Sequence, residues 1–253
     1  MHYNIQKPGI LRRISAGIFD AILLMVLVCG IAWGVSAIMN VDAQINAVNA
    51  GIDQYEKEHN IDFSLTEEEM ATMPSEEQVR YDKEMELMFQ DDSIYFAFIQ
   101  VLNSFLVTIS ISVLIGHVLL EFLVPVLLKN GQTFGKKIFG IALMRKDGIT
   151  VTNFAMFARS ILGKCTIEVM IPILIIFLMF LGAAASIGPI LLLALVVVQL
   201  GLLLFHPQNA MLHDLLACTV AVDMSSQLIF TSTEAMLDYQ KQRAAEKAEQ
   251  ADY

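Results

Sequence analysis

The chain has 253 residues, of which 56% are hydrophobic and only 17% charged, with a mean hydropathy of +0.60. So little charge excludes an ordinary soluble globule, where charged residues make up about a quarter. The formal net charge of −10 is not spread along the chain: residues 40–92 hold fifteen of the 26 acids and three of the 16 bases, the remainder is near +2, and no nucleic-acid partner is expected.

The first apolar run extends from Ile14 to about Met39 and is interrupted by Asp20. Roughly 20 apolar residues cross a bilayer core, so this run predicts a transmembrane helix. A cleavable leader is the alternative, because Arg12 and Arg13 precede the run and Gly34-Val-Ser-Ala37 resembles a small-residue cleavage site. The length of the run and the carboxylate in its first turns argue against a leader. Residues 40–92 then break the hydrophobic pattern. Thr66 before Glu67, Glu68 and Glu69 reads as a capped helix start. Ser75 before Glu76 and Glu77 reads as a second, opening a helix to about Asp91 with Val79, Met85 and Met88 to one side. The expectation is an acidic, extracytoplasmic helical insert that is solvated or receives a cationic protein partner.

Ile94–Leu128 is apolar over 35 residues apart from Gln100, Asn103, His117 and Glu121. It is too long for one perpendicular crossing and too short for two, so the helix tilts and projects or bends at Pro125. His117 and Glu121 lie four apart on one helix face. They read as a polar path, or Glu121 reads as an interfacial carboxylate beside Lys129.

Residues 129–164 carry seven bases against Asp147 alone. Asp147-Gly148 between two β-prone runs predicts a small hairpin in a cytoplasmic connector. Asn153 is the expected cap of an amphipathic surface helix bearing Phe154, Phe157 and Ile161. Ile167–Phe205 fits two short spans broken near Ser186-Ile-Gly-Pro189, with Glu168 as an interfacial anchor or helix-start charge. The tail from Tyr239 reads as a frayed helix or a disordered segment.

The fold class is therefore an all-α membrane protein with about four transmembrane helices. With both termini in the cytoplasm, all 13 bases outside the insert fall on the inner side. Cys29, Cys165 and Cys218 lack zinc or CxxC spacing and read as small side chains packed in helices.

Three segments together resemble a known family. Arg13-Ile-Ser-Ala16-Gly-Ile-Phe-Asp20 resembles the Arg…Ala…Asp opening of RDD family membrane proteins. Gly131-Gln132-Thr133-Phe134-Gly135-Lys136-Lys137-Ile138-Phe139-Gly140 resembles the family's central motif. His213-Asp214-Leu-Leu-Ala217-Cys218-Thr219 resembles its third, which usually ends Gly-Thr, so Cys218 departs from the pattern. The similarity runs over residues 8–223; the insert at 40–92 and the tail at 224–253 are additions to it. It places the family's name residues on Arg13, Asp20 and Asp214. It implies plasma-membrane localisation and carries an expectation of transport.

Read by themselves, Gly131 and Gly135 lack phosphate-loop spacing. They fit a tight turn at the membrane surface, with Lys136 and Lys137 meeting headgroup phosphates or a carboxylate. Asp214 pairs with Arg13 or another base at the same end, or forms with His213 a proton relay or metal pair. No further ligands are evident, so neither a metal nor a cofactor is expected. With no HExxH or GxSxG, enzymatic activity is not expected. The leading function is a transporter of a small ion or solute, or a transporter subunit, using a cluster of Arg13, Asp20 and Asp214, with Glu121 as a further candidate; His213 and Thr219 complete the polar set of the family motifs. The alternative is a non-transporting accessory, regulatory or immunity-type protein. The lipid bilayer is the expected partner, and four helices leave room for oligomers.

Overall fold

Unbroken aliphatic sequence from Ile10 to Ile38 forms α1, 29 residues long in the computed structural model, which describes residues 5–251. At 1.5 Å per residue this is about 43 Å, enough to cross a bilayer core. Ala16 and Asp20 are its only buried residues, while Trp33 stays 80% exposed. Such an apolar exterior is stable only against lipid.

The acidic segment folds into α2 (Val41–His59), α3 (Glu67–Thr72) and α4 (Ser75–Gln90). Thr66 caps α3 as expected, in a reciprocal capping box with Glu69. Ser75 is already helical, so Pro74, with its fixed φ, precedes α4 where a Ser75 cap was expected. Val79 is exposed; Tyr81 and Met88 are the buried residues of α4. Tyr55, Met88 and Ile94 form a local core with Ile52 and Phe63.

Asp92–Leu127 is one long helix, α5, whose bonding turns from α to π over Val118–Leu123. A short α6 (Phe134–Ile138) follows, capped by Thr133, and then strand β1 (Ile141–Arg145). The turn at Asp147-Gly148 forms, with Gly148 at φ 87° and Arg145 N–H donating to the Ile149 carbonyl. The local hairpin, however, reduces to a single bridge, Met144 to Thr150. The true partner of β1 is β2 (Thr219–Asp223), paired antiparallel from Ile141 opposite Asp223 to Arg145 opposite Thr219. One face of this ribbon packs on Ala16 and Met156, the other on Ile5 and Ile229. Burial on both faces explains why β1 reads as a continuous apolar run.

The amphipathic surface helix is also corrected. Thr152, not Asn153, accepts the capping bond, from Ala155 N–H. The helix does not stop at the membrane surface. It continues as α7 through Asn153–Phe180, π-bonded over Ala158–Met170. Glu168 therefore lies inside a helix rather than at its start. A turn at 181–187 leads to α8 (Gly188–Phe205), as the Gly188-Pro189 pair predicts. Next come α9 (Leu212–Leu216), β2 and the tail helix α10 (Thr233–Ala251), so the tail is helical to the last described residue. Of the cysteines only Cys165 is buried; Cys29 is exposed, and exposed Cys218 occupies a turn at φ 51°.

Helices α1, α5, α7 and α8 are each long and apolar enough to cross a bilayer. The protein is an integral membrane protein of predominantly helical fold. Contacts divide it into two units: the chain up to Cys29 with everything from Val113 onward, and Gly30–Ser112.

Candidate functional site

Three charged residues lie within the π stretch of α7 and one within that of α5. Both stretches are followed by a proline, Pro125 and Pro172, in the first α-turn beyond. Proline has no N–H to offer the carbonyl four residues back. Those residues are Glu121 and Glu168. Wider π turns are frequent where a helix is shaped by function, and these two carry the acids and bases of one network.

Asp214 is its centre and has no exposed surface. Arg13 Nη2 donates to it at 3.0 Å, Met211 N–H donates at 3.0 Å, and Arg159 Nη1 donates to its other oxygen. Arg159 Nη1 also donates to Thr219 Oγ at 2.8 Å. Burial alone would raise the Asp214 carboxyl, but the charges of Arg159 and Arg13, together with the Met211 N–H bond, outweigh it and hold the group well below the usual carboxylate range. His213 Nδ1 lies 2.8 Å from Glu168. Burial, reinforced by the Arg159 charge, pushes the His213 imidazole down, which favours the neutral ring. A neutral ring bonded to a carboxylate through Nδ1 carries its proton there.

Asp20 sits in a second cradle. Gly135 N–H donates to it at 2.8 Å, Thr133 Oγ donates to its other oxygen, and Lys136 Nζ stands 3.8 Å away. Gly135 is required here, because a Cβ would meet the Ala16 carbonyl and the Asp20 carboxylate. Gln132 is buried and donates to the Ile141 carbonyl at 2.7 Å, tying the central motif to β1. Gly131, at φ 63°, turns the chain into it against Leu143. Lys136 Nζ also donates to Thr133 Oγ at 3.1 Å. Burial, together with the neighbouring Lys164 charge, pushes Lys136 down to about 8.

Glu121 accepts from Lys164 Nζ at 2.7 Å, joining α5 to α7. The ion-pair partner is thus Lys164, where one alternative from the sequence set Glu121 beside Lys129. His117 bonds the Val113 carbonyl of its own helix at 2.9 Å. His117 and Glu121 are both buried and engage different partners. The structure likewise separates Arg13 and Asp20 into two cradles.

Both cradles border one cavity of about 310 Å³. Arg13, Lys136, Arg159, Lys164 and His213 line it, with Ile14, Ile18, Ala21 and Leu203 among its apolar walls. Asp20, Glu121, Glu168 and Asp214 pair with these residues and are not among those that line it. Gly163 lets α9 close the site, since a Cβ there would come within 2.6 Å of His213 Cβ. Among the described residues, no group of three or more His, Cys, Asp and Glu is placed to hold a metal ion.

The model of the RDD family matches residues 7–218, which include both cradles, both π stretches and the His213-Asp214 pair. The chain belongs to the RDD family. A comparison with curated proteins gives no match, and neither does one with solved structures. Of the motif residues, Arg13 and His213 lie beside Asp214, Thr219 joins it through Arg159, and Asp20 lies with Thr133, Gly135 and Lys136 in the other cradle. Sequence reasoning missed Arg159, Lys164 and Glu168 as site residues by ending the surface helix before the third span. The signal was present: no proline or paired glycine breaks the chain between Asn153 and Met170.

Proposed function

We propose that this RDD-family protein is a transporter of a small ion or solute, or the membrane subunit of one, with the cation-lined cavity as its solute site. One observation carries the reading: four bases, Arg13, Lys136, Arg159 and Lys164, open on a single cavity while the carboxylates paired with them are not among its lining residues. Ionisable groups at membrane depth are costly and are retained where they serve a path or a paired scaffold. A scaffold alone would close over its ion pairs, and this network leaves a space. The role is non-enzymatic. The termini lie in the cytoplasm, which puts the 13 bases outside the insert on the inner side and the acidic insert outside.

Reconstitution into vesicles with an imposed ion or pH gradient tests the proposal. Gradient-driven flux is expected, reduced at least tenfold by Asp20→Asn. Flux no greater than in empty vesicles overturns it.

A second reading, a non-transporting accessory or regulatory protein that binds a cationic protein partner, draws on the insert, which has its own core around Tyr55, Met88 and Ile94. Deletion of residues 45–90 separates the two. Full flux without the insert favours the transporter, whereas a folded protein that keeps its membrane domain and loses its role favours the accessory.

A further inference from the structure

We infer that the cavity bordered by Arg13, Lys136, Arg159 and Lys164 is an oxyanion site that takes a phosphate-class group. The inference rests on the transport reading for its place in the protein and names what that site receives.

The lining is selective in sign, since among the described residues no carboxylate lines the space and four permanent or titratable cations do. Arg159 is the most informative. It is 3% exposed, and its hydrogen bonds among the described residues, to Asp214 and Thr219, use Nη1. Its Nε and Nη2 donate to none of the described residues. Among the described residues Gln208 Oε1 is the sole enclosed side-chain polar atom without a partner, so these two Arg159 nitrogens keep access to open space. Because Arg159 lines the cavity, that space is the cavity. Adjacent guanidinium N–H groups held in a fixed fork match two oxygens of a phosphate or carboxylate. Asp214 and Thr219 hold the fork in place, so little freedom is lost on binding.

Phosphate fits better than carboxylate because the bases converge from three directions: α1 supplies Arg13, the central motif supplies Lys136, and α7 supplies Arg159 and Lys164. A planar two-oxygen group satisfies one fork, whereas a tetrahedral group presents oxygens to all three sides. The carboxylates paired with the bases already offset part of their charge. That favours reversible occupancy, which a transport site requires. The apolar walls at Ile14, Ile18, Ala21 and Leu203 leave room for an attached acyl chain. The phosphate source is therefore either free in solution or carried by a lipid headgroup, and the experiment separates these.

The full chain in uncharged detergent is heated at constant ionic strength in two comparisons: inorganic phosphate against chloride, and micelles doped with phosphatidic acid against diacylglycerol. The thermal midpoint is expected to rise by roughly 5 °C at saturating phosphate or phosphatidic acid. A rise with phosphate assigns a soluble source; a rise with phosphatidic acid alone assigns a headgroup. Gly17→Leu fills the cavity from α1, where an added Cβ meets nothing within 4 Å, and should abolish the rise. Lys136→Met should reduce the rise by half or more, and decides the matter alone if Gly17→Leu does not fold. No rise in either comparison, or a rise kept in full by Lys136→Met or by folded Gly17→Leu, overturns the inference. A midpoint rise without vesicle flux overturns the transport reading and keeps the oxyanion site. Flux without a midpoint rise does the reverse.

Discussion

Asp214 is a buried carboxylate shared by two guanidinium groups, and its chemistry sets the stability of the site. Removing one member of a buried ion network leaves its partners charged and unpaired, at a cost of about 3–5 kcal/mol. Asp214→Asn strands Arg13 and Arg159 and should lower the thermal midpoint in detergent accordingly; a midpoint equal to wild type would refute the arrangement. Cys218 makes the opposite prediction. It adopts φ 51°, in the left-handed region where an L side chain costs roughly 1–2 kcal/mol and glycine costs little. The glycine usual in the RDD motif fits that geometry, so Cys218→Gly should stabilise the protein by about 1 kcal/mol. Its exposure means little packing is lost.

Lys136 gives a pH dependence with a definite sign. It faces Asp20 from α1, Glu121 from α5, and Arg159 and Lys164 from α7. Its folded value of about 8 lies below the ordinary 10.5, so between these limits the unfolded chain binds more protons. Its contribution to stability therefore rises with pH through that window. Phosphate affinity should move the other way, weakening as Lys136 loses its proton above about pH 8. Comparing thermal midpoints of wild type and Lys136→Met from pH 7 to 10.5 isolates the first effect. A difference that is flat across this range would refute it.

Among the elements, what the sequence made legible followed local rules. The four long apolar helices, the capped start at Thr66 and the break at Gly188-Pro189 all follow from hydropathy, side-chain capping or proline geometry. The convergence of Arg13, Asp214 and Thr219 was legible through motif resemblance. Illegible were features fixed by distant contacts. β1 looked like half of a local hairpin because Asp147-Gly148 does turn there. β2 takes the ladder because it buries Val220 and Val222 against Ile5 and Ile229, whereas the 149–152 segment offers no comparable pairing. α7 looked like two pieces because Arg159, Lys164 and Glu168 read as surface charges. Their partners, Asp214, Glu121 and His213, come from elsewhere in the chain and make burial tolerable. The docking of α6 on α1 depends on Gly135. Gly135→Ala should disrupt the Asp20 cradle and cost at least about 2 kcal/mol by forcing the backbone apart; a fully stable variant would refute the close approach.

At the scale of the whole molecule, the RDD motifs all fall in the unit that holds the cavity, while the acidic helices fall in the other. A transport site must be reachable by water-borne solute, and a sealed ion-pair scaffold is not. The most direct measurement places a thiol in the cavity by Gly17→Cys, with Cys29, Cys165 and Cys218 replaced by serine or alanine, and reacts it with a membrane-impermeant reagent from each side in turn. Rapid modification from the cytoplasmic side, slowed by occupancy of the site, is the expected result. A folded variant whose new thiol is unreactive from both sides would contradict a solute-accessible cavity and leave the network as scaffold.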